Sequence, residues 1–435
     1  MYHAKFQIWV GRLQQVFPVT HRYKCSATKA ILSDPAIPTL DVAYITDPRN
    51  THKIDKLIQS RKGKGDIHLV QKLWKEYNEE TIEKMKSKKY EKFMLEACKI
   101  PNQAHSVLDS YGIEPKIVKY INDKRKFDFQ PRDFADLCQK CDLLKTEFLG
   151  FLAGHKSYIL KDSLAELEQA LIQRTCDELL KKGFSLISVP DFLPSHVIEG
   201  CGMDIKAERG QVYTLDPSLH GDLCLSGTSE MAIAGFLSNQ VLNVDELPLK
   251  LAAVSRCYRA EISSSFDERG IYRVHQFTKV EMFGVTKNDI SQSEALLQEF
   301  VDIQSELSAS YGIHCQLLDM PLHELGAPAY RKFDIEAWMP GRNMFGEISS
   351  SSNCTDFQAR RLNIKYESGE DTYFCHTVNG TACAVPRMLI ALLETFQNRY
   401  ADTINIPEVL WPYMNYQKLL TPPVFPLKMR YIKSW

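Results

Sequence analysis

The sequence lacks any long apolar run. No stretch of its 435 residues approaches the roughly 18 consecutive apolar residues that a membrane-spanning helix needs. No Gly-rich or Ser-rich tract and no short internal repeat stands out, which argues against a repeat fold. With 44% apolar and 25% charged residues, the chain has the composition of a globular protein of two or three domains. A membrane span is therefore excluded.

An excess of charge of one sign is also missing, since the formal net charge is −1. A nucleic-acid partner would have to be held by local basic patches rather than by a field of one sign. The twelve cysteines are scattered, mostly in apolar runs, which indicates reduced thiols. Cys138 and Cys141 form a lone CxxC without a second pair at zinc-ligand spacing. Partly buried thiols are therefore favoured over a redox site, and no zinc is expected.

The first 33 positions contain no acidic residue, and the first acidic residue of the chain is Asp34. Apolar residues are interleaved there with five bases, namely Lys5, Arg12, Arg22, Lys24 and Lys29. This composition is typical of a mitochondrial presequence, because import reads a basic amphipathic helix. A basic N-terminal arm that is retained is the alternative. We predict that residues 1–33 are a presequence and that the protein lies in the mitochondrial matrix.

Residues 50–98 have the helical spacing of apolar side chains, with a polar turn near Asn78. The pattern predicts an antiparallel helical hairpin. Its second half carries five lysines, namely Lys84, Lys86, Lys88, Lys89 and Lys92. A further basic cluster lies between Lys116 and Lys126. Such lysines either form a solvated face or contact RNA phosphates, and the pattern alone leaves both open.

A long amphipathic helix is predicted from Ala165 to Lys182, followed by a strand over residues 184–189 that Pro190 stops. Beyond Asp222 the chain alternates β-rich stretches with a few helices. That order favours an α+β domain built on a mainly antiparallel sheet.

Charged residues fall in register on two strand-like stretches. Over residues 251–261, the period of two places Arg259 and Glu261 on one face. In the stretch that starts at Arg273, the same period aligns Arg273, Phe277 and Glu281. Paired as a hairpin, these strands would present arginine, carboxylate and an aromatic ring together, which suits an ATP site. A solvent-exposed charged hairpin is the alternative.

Two further stretches carry groups suited to phosphate chemistry. A hairpin over residues 333–350 brings Glu347 near Ser350, and two such hard oxygen ligands could hold Mg²⁺. Pro386 fits the first turn of an apolar helix, where the helix dipole favours phosphate beside Arg387. Because an arginine at a helix start is otherwise unfavourable, this position indicates anion binding.

Together these elements resemble the three signature motifs of class II aminoacyl-tRNA synthetases, specifically those of the seryl-tRNA synthetase family. The first motif is the helix and strand ending at Pro190, the second is SRCYRAE with RGIYRVHQFTKVEMFGV, and the third is HTVNGTACAVPRMLIALLE. LCLSGTSEMAIAGF is similar to the family's TxE segment, and GEISSSSNCTDFQARR to its EISS-SN-DFQ-RR stretch. Residues 100–102 match the segment that closes its helical arm. The chain is most similar to animal, insect-like, mitochondrial members.

The resemblance implies a class II catalytic domain over residues 121–435, with a mainly antiparallel sheet flanked by helices. A short helical-hairpin domain that binds tRNA would precede it over residues 34–120. The implied activity is ATP-dependent and Mg²⁺-dependent activation of serine and its transfer to tRNA(Ser). A homodimer is expected, with a heterodimer with a synthetase-like paralogue as the alternative.

The resemblance also implies roles for individual residues. The implied ATP contacts are Arg259, Glu261, Arg273, Phe277 and Arg387, with Glu347 and Ser350 on Mg²⁺. The implied serine contacts are Thr228, Glu230, Arg259, Glu281, Asn379 and Thr381, and the arm lysines would contact tRNA. Arg259, Arg387 and Glu347 are the expected catalytic residues. The rival interpretation is a catalytically silent paralogue acting as a binding or regulatory subunit, but such a protein should have lost these residues.

Overall fold

The computed structural model describes residues 35–61, 65–79, 88–146, 149, 154–205, 211–261, 270–400 and 403–423. Ala36–Trp435 forms one compact unit, and Pro35 is the only described residue that precedes it. The predicted presequence and two of the predicted RNA contacts, Lys84 and Lys86, lie outside the described residues. No helix among the described residues is long and apolar enough to cross a membrane.

Helices and strands are labelled here in chain order. The α-helices are α1 (Val42–Thr46), α2 (Thr51–Ser60), α3 (Ile67–Asn78), α4 (Lys88–Ala97), α5 (Phe134–Lys140), α6 (Asp162–Lys181), α7 (Ser195–Gly200), α8 (Pro217–His220), α9 (Ser229–Phe236), α10 (Ile290–Tyr311), α11 (Phe357–Leu362) and α12 (Val385–Phe396). The strands are β1 (Lys116–Ile121), β2 (Leu144–Lys145), β3 (Ile159–Leu160), β4 (Ser185–Ile187), β5 (Phe192–Pro194), β6 (Leu223–Leu225), β7 (Val241–Asn243), β8 (Leu249–Tyr258), β9 (Gln276–Thr286), β10 (Cys315–Asp319), β11 (Arg331–Met339), β12 (Met344–Thr355), β13 (Lys365–Ser368), β14 (Asp371–Phe374), β15 (His376–Ala384), β16 (Ile404–Asn405) and β17 (Leu419–Leu420).

The N-terminal helices α3 and α4 pack antiparallel, as the sequence predicts. The ring centroids of Trp74 and Phe93 lie 4.9 Å apart, and those of Tyr77 and Tyr90 lie 5.1 Å apart. The predicted helical stretch is broken between α2 and α3, where Asp66 caps α3 by accepting a hydrogen bond from the Leu69 amide. The described part of this region therefore contains α2 as a further helix before the pair.

An eight-stranded sheet forms the centre of the molecule, in the order β1-β10-β11-β12-β15-β9-β8-β4. Every neighbouring pair is antiparallel except β8 and β4, which are parallel. The predicted α+β class with a mainly antiparallel sheet is therefore confirmed. The edge strand β1 begins at Lys116, within the region that the sequence assigns to the N-terminal domain.

The two faces of the sheet differ in polarity: one packs in the main core, and the other carries charged side chains. Along β9, Val280 and Met282 belong to the main core cluster, which also contains side chains of α6, α10 and α12. Successive side chains of a strand point to opposite faces. Phe277, Lys279 and Glu281 therefore lie on the other face, and this face carries the charged residues that the sequence singles out.

The helix and strand of the first motif differ from the prediction mainly at their ends. Helix α6 starts at Asp162, three residues earlier than predicted, and β4 covers only Ser185–Ile187. Between them Gly183 has φ of +82°, a left-handed conformation that residues with a Cβ atom resist. This glycine ends the helix and turns the chain into the strand.

Candidate active site

A cleft on this second face is lined by residues from both halves of the sheet. Its lining includes seven of the predicted ATP-site or serine-site residues, namely Arg259, Glu261, Arg273, Phe277, Glu347, Thr381 and Arg387. Lys279 and Tyr272 line it as well. Residues that are up to 128 positions apart in this set (Arg259 and Arg387) therefore meet at one place.

The strands of the first hairpin are shorter than the sequence predicts. Strand β8 ends at Tyr258 and β9 begins at Gln276, so Arg259, Glu261 and Arg273 lie beyond the strands rather than in their register. The prediction that strand periodicity aligns Arg259 with Glu261, and Arg273 with Phe277 and Glu281, was therefore wrong for the residues outside the strands. The Arg259 amide donates to the His275 carbonyl oxygen at 2.9 Å, but the Glu261 amide then donates back to the Arg259 carbonyl oxygen at 2.9 Å and turns the chain out of the strand.

These three loop residues still reach the cleft. Arg273 Nη1 lies 3.7 Å from Glu261 Oε2, and the Glu261 side chain is almost fully buried. The guanidinium carbon of Arg259 lies 5.3 Å from the ring centroid of Phe277, within cation–π range. An aromatic face, two arginines and a carboxylate therefore share this part of the cleft.

A β-bulge in β12 determines where Glu347 and Ser350 point. On a regular strand, residues three apart face opposite sides of a sheet. The pairing of β12 with β11 shifts by one residue between them, so that Ile348 is an extra residue. Their partners on β11 are Glu336 and Asp334, which lie two residues apart and hence on one face. The bulge thus places Glu347 and Ser350 on the same side.

The oxygen atoms around this bulge suit a hard cation. Partial desolvation would raise the pKa of Glu347, but nearby cations, Arg387 first, hold its pKa below the ordinary value. Burial raises the pKa of Asp334 to about 6, although Lys332 Nζ lies only 2.7 Å from its Oδ2. The Oδ1 atom of Asp334 is buried without a hydrogen-bond partner among the described residues. An ionised carboxylate, a hydroxyl and an unpartnered oxygen fit Mg²⁺.

Arg387 lies in the first turn of α12, as predicted from Pro386. Its Nη1 atom donates to the Glu347 carbonyl oxygen at 3.0 Å and lies 3.4 Å from Glu347 Oε2. Its guanidinium carbon lies 4.5 Å from the ring centroid of Tyr272. These contacts fix a cation at a helix N-terminus, an arrangement that attracts phosphate.

Lys279 connects the cleft to a second polar cluster. Its ammonium group lies 2.5 Å from Glu281 Oε2, and both side chains are at least 93% buried. Lys279 also donates to Thr228 Oγ1 at 2.7 Å and to Thr381 Oγ1 at 3.4 Å. Thr381 in turn donates to Glu281 at 3.2 Å. One buried cation therefore gathers three predicted serine contacts.

Glu230 forms the far end of this cluster. Its Oε1 atom accepts hydrogen bonds from Asn379 Nδ2 at 2.7 Å and from Gln358 Nε2 at 2.6 Å. Burial, together with the charge of Glu281, raises the pKa of Glu230 to about 7, although Lys279 opposes the shift. A carboxylate with a raised pKa gains from the approach of a cation, such as an ammonium group.

Lys279, Gln358 and Tyr272 are site residues that the sequence reasoning missed. Lys279 had a readable signal, since it lies on β9 between Phe277 and Glu281 and so shares their face. Gln358 had only its place in the DFQARR stretch. Tyr272 had none, because it lies in a loop that only the folded chain brings under Arg387.

Among the described residues, no group of three or more His, Cys, Asp or Glu side chains is placed to hold a metal ion. Cys138 and Cys141 are fully buried, and burial raises the pKa of the Cys138 thiol. The expectation that the protein uses no zinc stays a prediction.

Comparison with known proteins gives consistent matches. The model of the tRNA synthetase class II core domain (G, H, P, S and T) matches residues 213–396. The mitochondrial serine–tRNA ligase of Bos taurus is 45% identical over 341 residues, which are 78% of this chain and 65% of the bovine protein. The chain thus spans just under two thirds of the length of this relative.

The matches to a bacterial relative and to a solved structure extend over a larger share of those proteins. The serine–tRNA ligase of Treponema denticola is 41% identical over 340 residues, which are 76% of this chain and 78% of that protein. The crystal structure of the cytoplasmic serine–tRNA ligase of Naegleria fowleri with AMP has a TM-score of 0.77 at 26% identity. It covers 89% of this chain and 99% of the Naegleria chain. On this identity and coverage, together with a sheet and a cleft that hold the three motifs, the chain belongs to the seryl-tRNA synthetase family of class II aminoacyl-tRNA synthetases.

Proposed function

We propose that the protein is a mitochondrial serine–tRNA ligase. It activates serine with ATP and transfers the seryl group to tRNA(Ser). The observation that carries the proposal is the continuity of two clusters. The arginine and aromatic cluster at Arg259, Phe277 and Arg387 lines the same cleft as Lys279 and Thr381, which belong to the polar cluster around Glu281. A nucleotide and a small hydroxy amino acid can therefore meet there.

Activation needs no protein nucleophile. A serine carboxylate oxygen attacks the α-phosphorus of ATP, the bond from that phosphorus to the bridging oxygen breaks, and pyrophosphate leaves. The terminal ribose hydroxyl of the tRNA then attacks the seryl carbonyl carbon, and AMP leaves. Such a reaction is accelerated by positioning and by neutralising charge on the phosphates. Arg259 and Arg387 supply that positive charge, and the ring of Phe277 supports the adenine.

Glu347 and Ser350 would hold Mg²⁺ from the face that the β12 bulge creates. Bound there, the ion would neutralise phosphate charge during the displacement. The contribution of the protein is the geometry of the bulge and the ionised state of Glu347, which Arg387 favours.

Serine selection is assigned to the polar cluster. Thr228, Glu230, Glu281, Asn379 and Thr381 present carboxylates, hydroxyls and an amide that can surround the amino and hydroxyl groups of serine. A site that hydrogen-bonds a substrate hydroxyl rejects analogues that lack it, because its buried polar groups are then left unpaired. Alanine should therefore be excluded.

An amino-acid panel in ATP–pyrophosphate exchange tests the activity. We expect exchange with serine and exchange with alanine lower by on the order of 10⁴. We also expect the activated serine to be transferred to tRNA(Ser) transcripts. A protein that supports exchange with none of the amino acids in the panel would contradict the proposal and favour the catalytically silent paralogue. Exchange with a different amino acid would overturn the serine assignment.

The raised pKa of Glu230 predicts a pH dependence. Its carboxyl is mostly protonated at pH 6 and mostly ionised at pH 8, because its pKa is about 7. Only the ionised form attracts the serine ammonium group, so kcat/KM for serine should rise about tenfold between these pH values. The Glu230→Gln variant should lose most of this rise, and its kcat/KM should be lower throughout. A flat wild-type profile, measured at saturating ATP, would contradict the prediction.

For tRNA binding we propose the lysines of the N-terminal hairpin. Lys88 and Lys92 on α4 are exposed and lie away from the buried face that contains Phe93 and Ala97. Lys89 is exposed beside them, and Lys84 and Lys86 precede this helix in the chain. In the second basic cluster, two residues contact the protein itself, since Lys124 stacks on Trp338 and Arg125 donates to the Thr395 carbonyl oxygen. Lys88 and Lys92 therefore carry the proposal, with Lys84, Lys86 and Lys89 as the other lysines of the arm.

A homodimer built on α6 and β4 is proposed for the active unit. Strand β4 is an edge of the eight-stranded sheet. Leu186 on this strand, Leu180 on α6 and Phe192 on β5 are each about half exposed. An edge strand flanked by exposed apolar side chains favours a partner. A heterodimer with a synthetase-like paralogue stays the alternative.

The matrix location and a cleaved presequence are proposed from the basic, acid-free N-terminus and from the mitochondrial bovine relative.

A further inference from the structure

The segment that follows helix α4 reaches the end of strand β12. The side-chain nitrogen of Asn102 lies 2.8 Å from the carbonyl oxygens of Pro328 and Cys354, and 2.9 Å from Thr355 Oγ1. Its backbone amide donates to the Ala327 carbonyl oxygen at 2.8 Å. A residue of the N-terminal region is thus bonded directly to the last two residues of a central strand.

Those two residues have an unusual backbone. Thr355 has φ of +45°, a left-handed conformation that β-branched residues strongly resist. The pairing of β12 with β15 also shifts register between Asn353 and Thr355. Such a conformation persists only where surrounding contacts hold it. The contacts here are the Asn102 side chain and Asn353 Oδ1, which accepts from the Thr355 amide at 2.9 Å.

The irregular end of β12 contacts the polar cluster of the active site. Cys354 is fully buried, and its sulfur atom lies 3.5 Å from the amide nitrogen of Asn379. That same nitrogen donates to Glu230 Oε1 at 2.7 Å. A displacement of Cys354 would therefore move the amide group that orients the Glu230 carboxylate.

We propose that Asn102 is a positioning residue for the serine-binding end of the cleft, an inference that rests on the proposed function. Asn102 holds the strained turn at Cys354 and Thr355, this turn holds Asn379, and Asn379 orients Glu230. The base of the N-terminal helical region thereby helps to shape a pocket in the catalytic sheet. The ATP-binding end, which Phe277 and Arg387 line, has no part in this chain of contacts.

The test is the Asn102→Ala variant of the full chain in ATP–pyrophosphate exchange. KM for serine should rise roughly tenfold, the effect of losing well-placed hydrogen bonds, while KM for ATP should change less than twofold. Tyr111→Phe is the matched control. It removes one hydrogen bond, at 2.8 Å to Asp319, between the same N-terminal segment and the sheet. This control should leave both KM values unchanged.

A second substitution separates positioning from simple docking. Glycine adopts positive φ readily, so Thr355→Gly should hold the turn without help from Asn102. Adding Thr355→Gly to Asn102→Ala should therefore recover most of the loss in KM for serine. If Asn102→Ala alone does not fold, a double variant that folds and has a near-normal serine KM supports the proposal, whereas a double variant that also fails to fold contradicts it.

Three results would overturn the positioning role. They are a normal serine KM in Asn102→Ala, an equal rise in both KM values, and a failure of Thr355→Gly to recover any of the loss. A wild-type protein without serine-dependent exchange is a different outcome. It would remove the proposed function itself, whatever the variants do.

Discussion

Replacing Arg387 with alanine lowers serine-dependent ATP–pyrophosphate exchange by on the order of 10² or more, if the cleft is the activation site. The reason is that Arg387 is held at the helix N-terminus by Glu347 and Tyr272, so its charge is already in place before phosphate charge develops. The same loss is expected of Arg259→Ala. In both variants the fall should appear in kcat, because the lost interaction acts on the transition state.

The matched control for Arg387 is Arg399→Ala. Arg399 follows the same helix, is 52% exposed and pairs with Asp128 at the surface. Its exchange rate should stay within about twofold of the wild-type rate, because an exposed ion pair contributes little. Arg387→Lys should be intermediate, since lysine keeps the charge but not the planar fork of donors. Near-normal exchange in Arg387→Ala and Arg259→Ala would remove both from the activation site.

The Lys279→Met variant should lose much more unfolding free energy than a variant of a more exposed ion pair. Lys279 and Glu281 form an ion pair in which the side chains are 7% and 2% exposed, and Glu230 lies in the same cluster. Removing the cation leaves a buried carboxylate without its partner, which typically costs about 3–5 kcal/mol of unfolding free energy. Urea denaturation at pH 8 measures this cost.

Lys250→Met provides the comparison for Lys279. Lys250 lies on the neighbouring strand β8, and its ion pair with Glu299 at 2.9 Å is considerably more exposed. Lys250 also donates to the Lys182 carbonyl oxygen at 2.8 Å, so its loss should cost about 1–2 kcal/mol, still less than the loss of Lys279. The double variant Lys279→Met with Glu281→Gln should recover part of the stability, because the unpaired charge is then gone. Equal losses of unfolding free energy in Lys279→Met and Lys250→Met would show that burial adds nothing to the energetic importance of the Lys279–Glu281 pair.

Sequence reasoning selected several residues that line one cleft, but it did not give all of their geometry. Period-two alternation identified Phe277 and Glu281 correctly, because β9 is a regular strand with one buried face. The same rule misjudged Glu261 and Arg273, since β8 ends at Tyr258, β9 begins at Gln276, and the Glu261 amide turns back to the Arg259 carbonyl oxygen. Periodicity describes a strand only where the ladder of hydrogen bonds continues.

Two features could not be read from the sequence at all. The bulge at Ile348 depends on how β12 pairs with β11, and no residue in ISSSS marks the position of the extra residue. The contact of Asn102 with Cys354 joins positions 252 residues apart. The resemblance that included residues 100–102 pointed to the segment, but only the folded chain shows what the Asn102 side chain contacts.

The position of β15 in the sheet has a consequence for the order of folding. Strands β8 and β9 pair as neighbours in the chain, and so do β11 and β12, whereas β15 lies between β12 and β9 and joins the two pairs. Arg259 directly follows strand β8 of one pair, and Glu347 lies on strand β12 of the other. Long-range strand pairing is slow because loop-closure entropy must be overcome first. The cleft is therefore incomplete as a site until strand β15 (His376–Ala384) has paired with both β12 and β9.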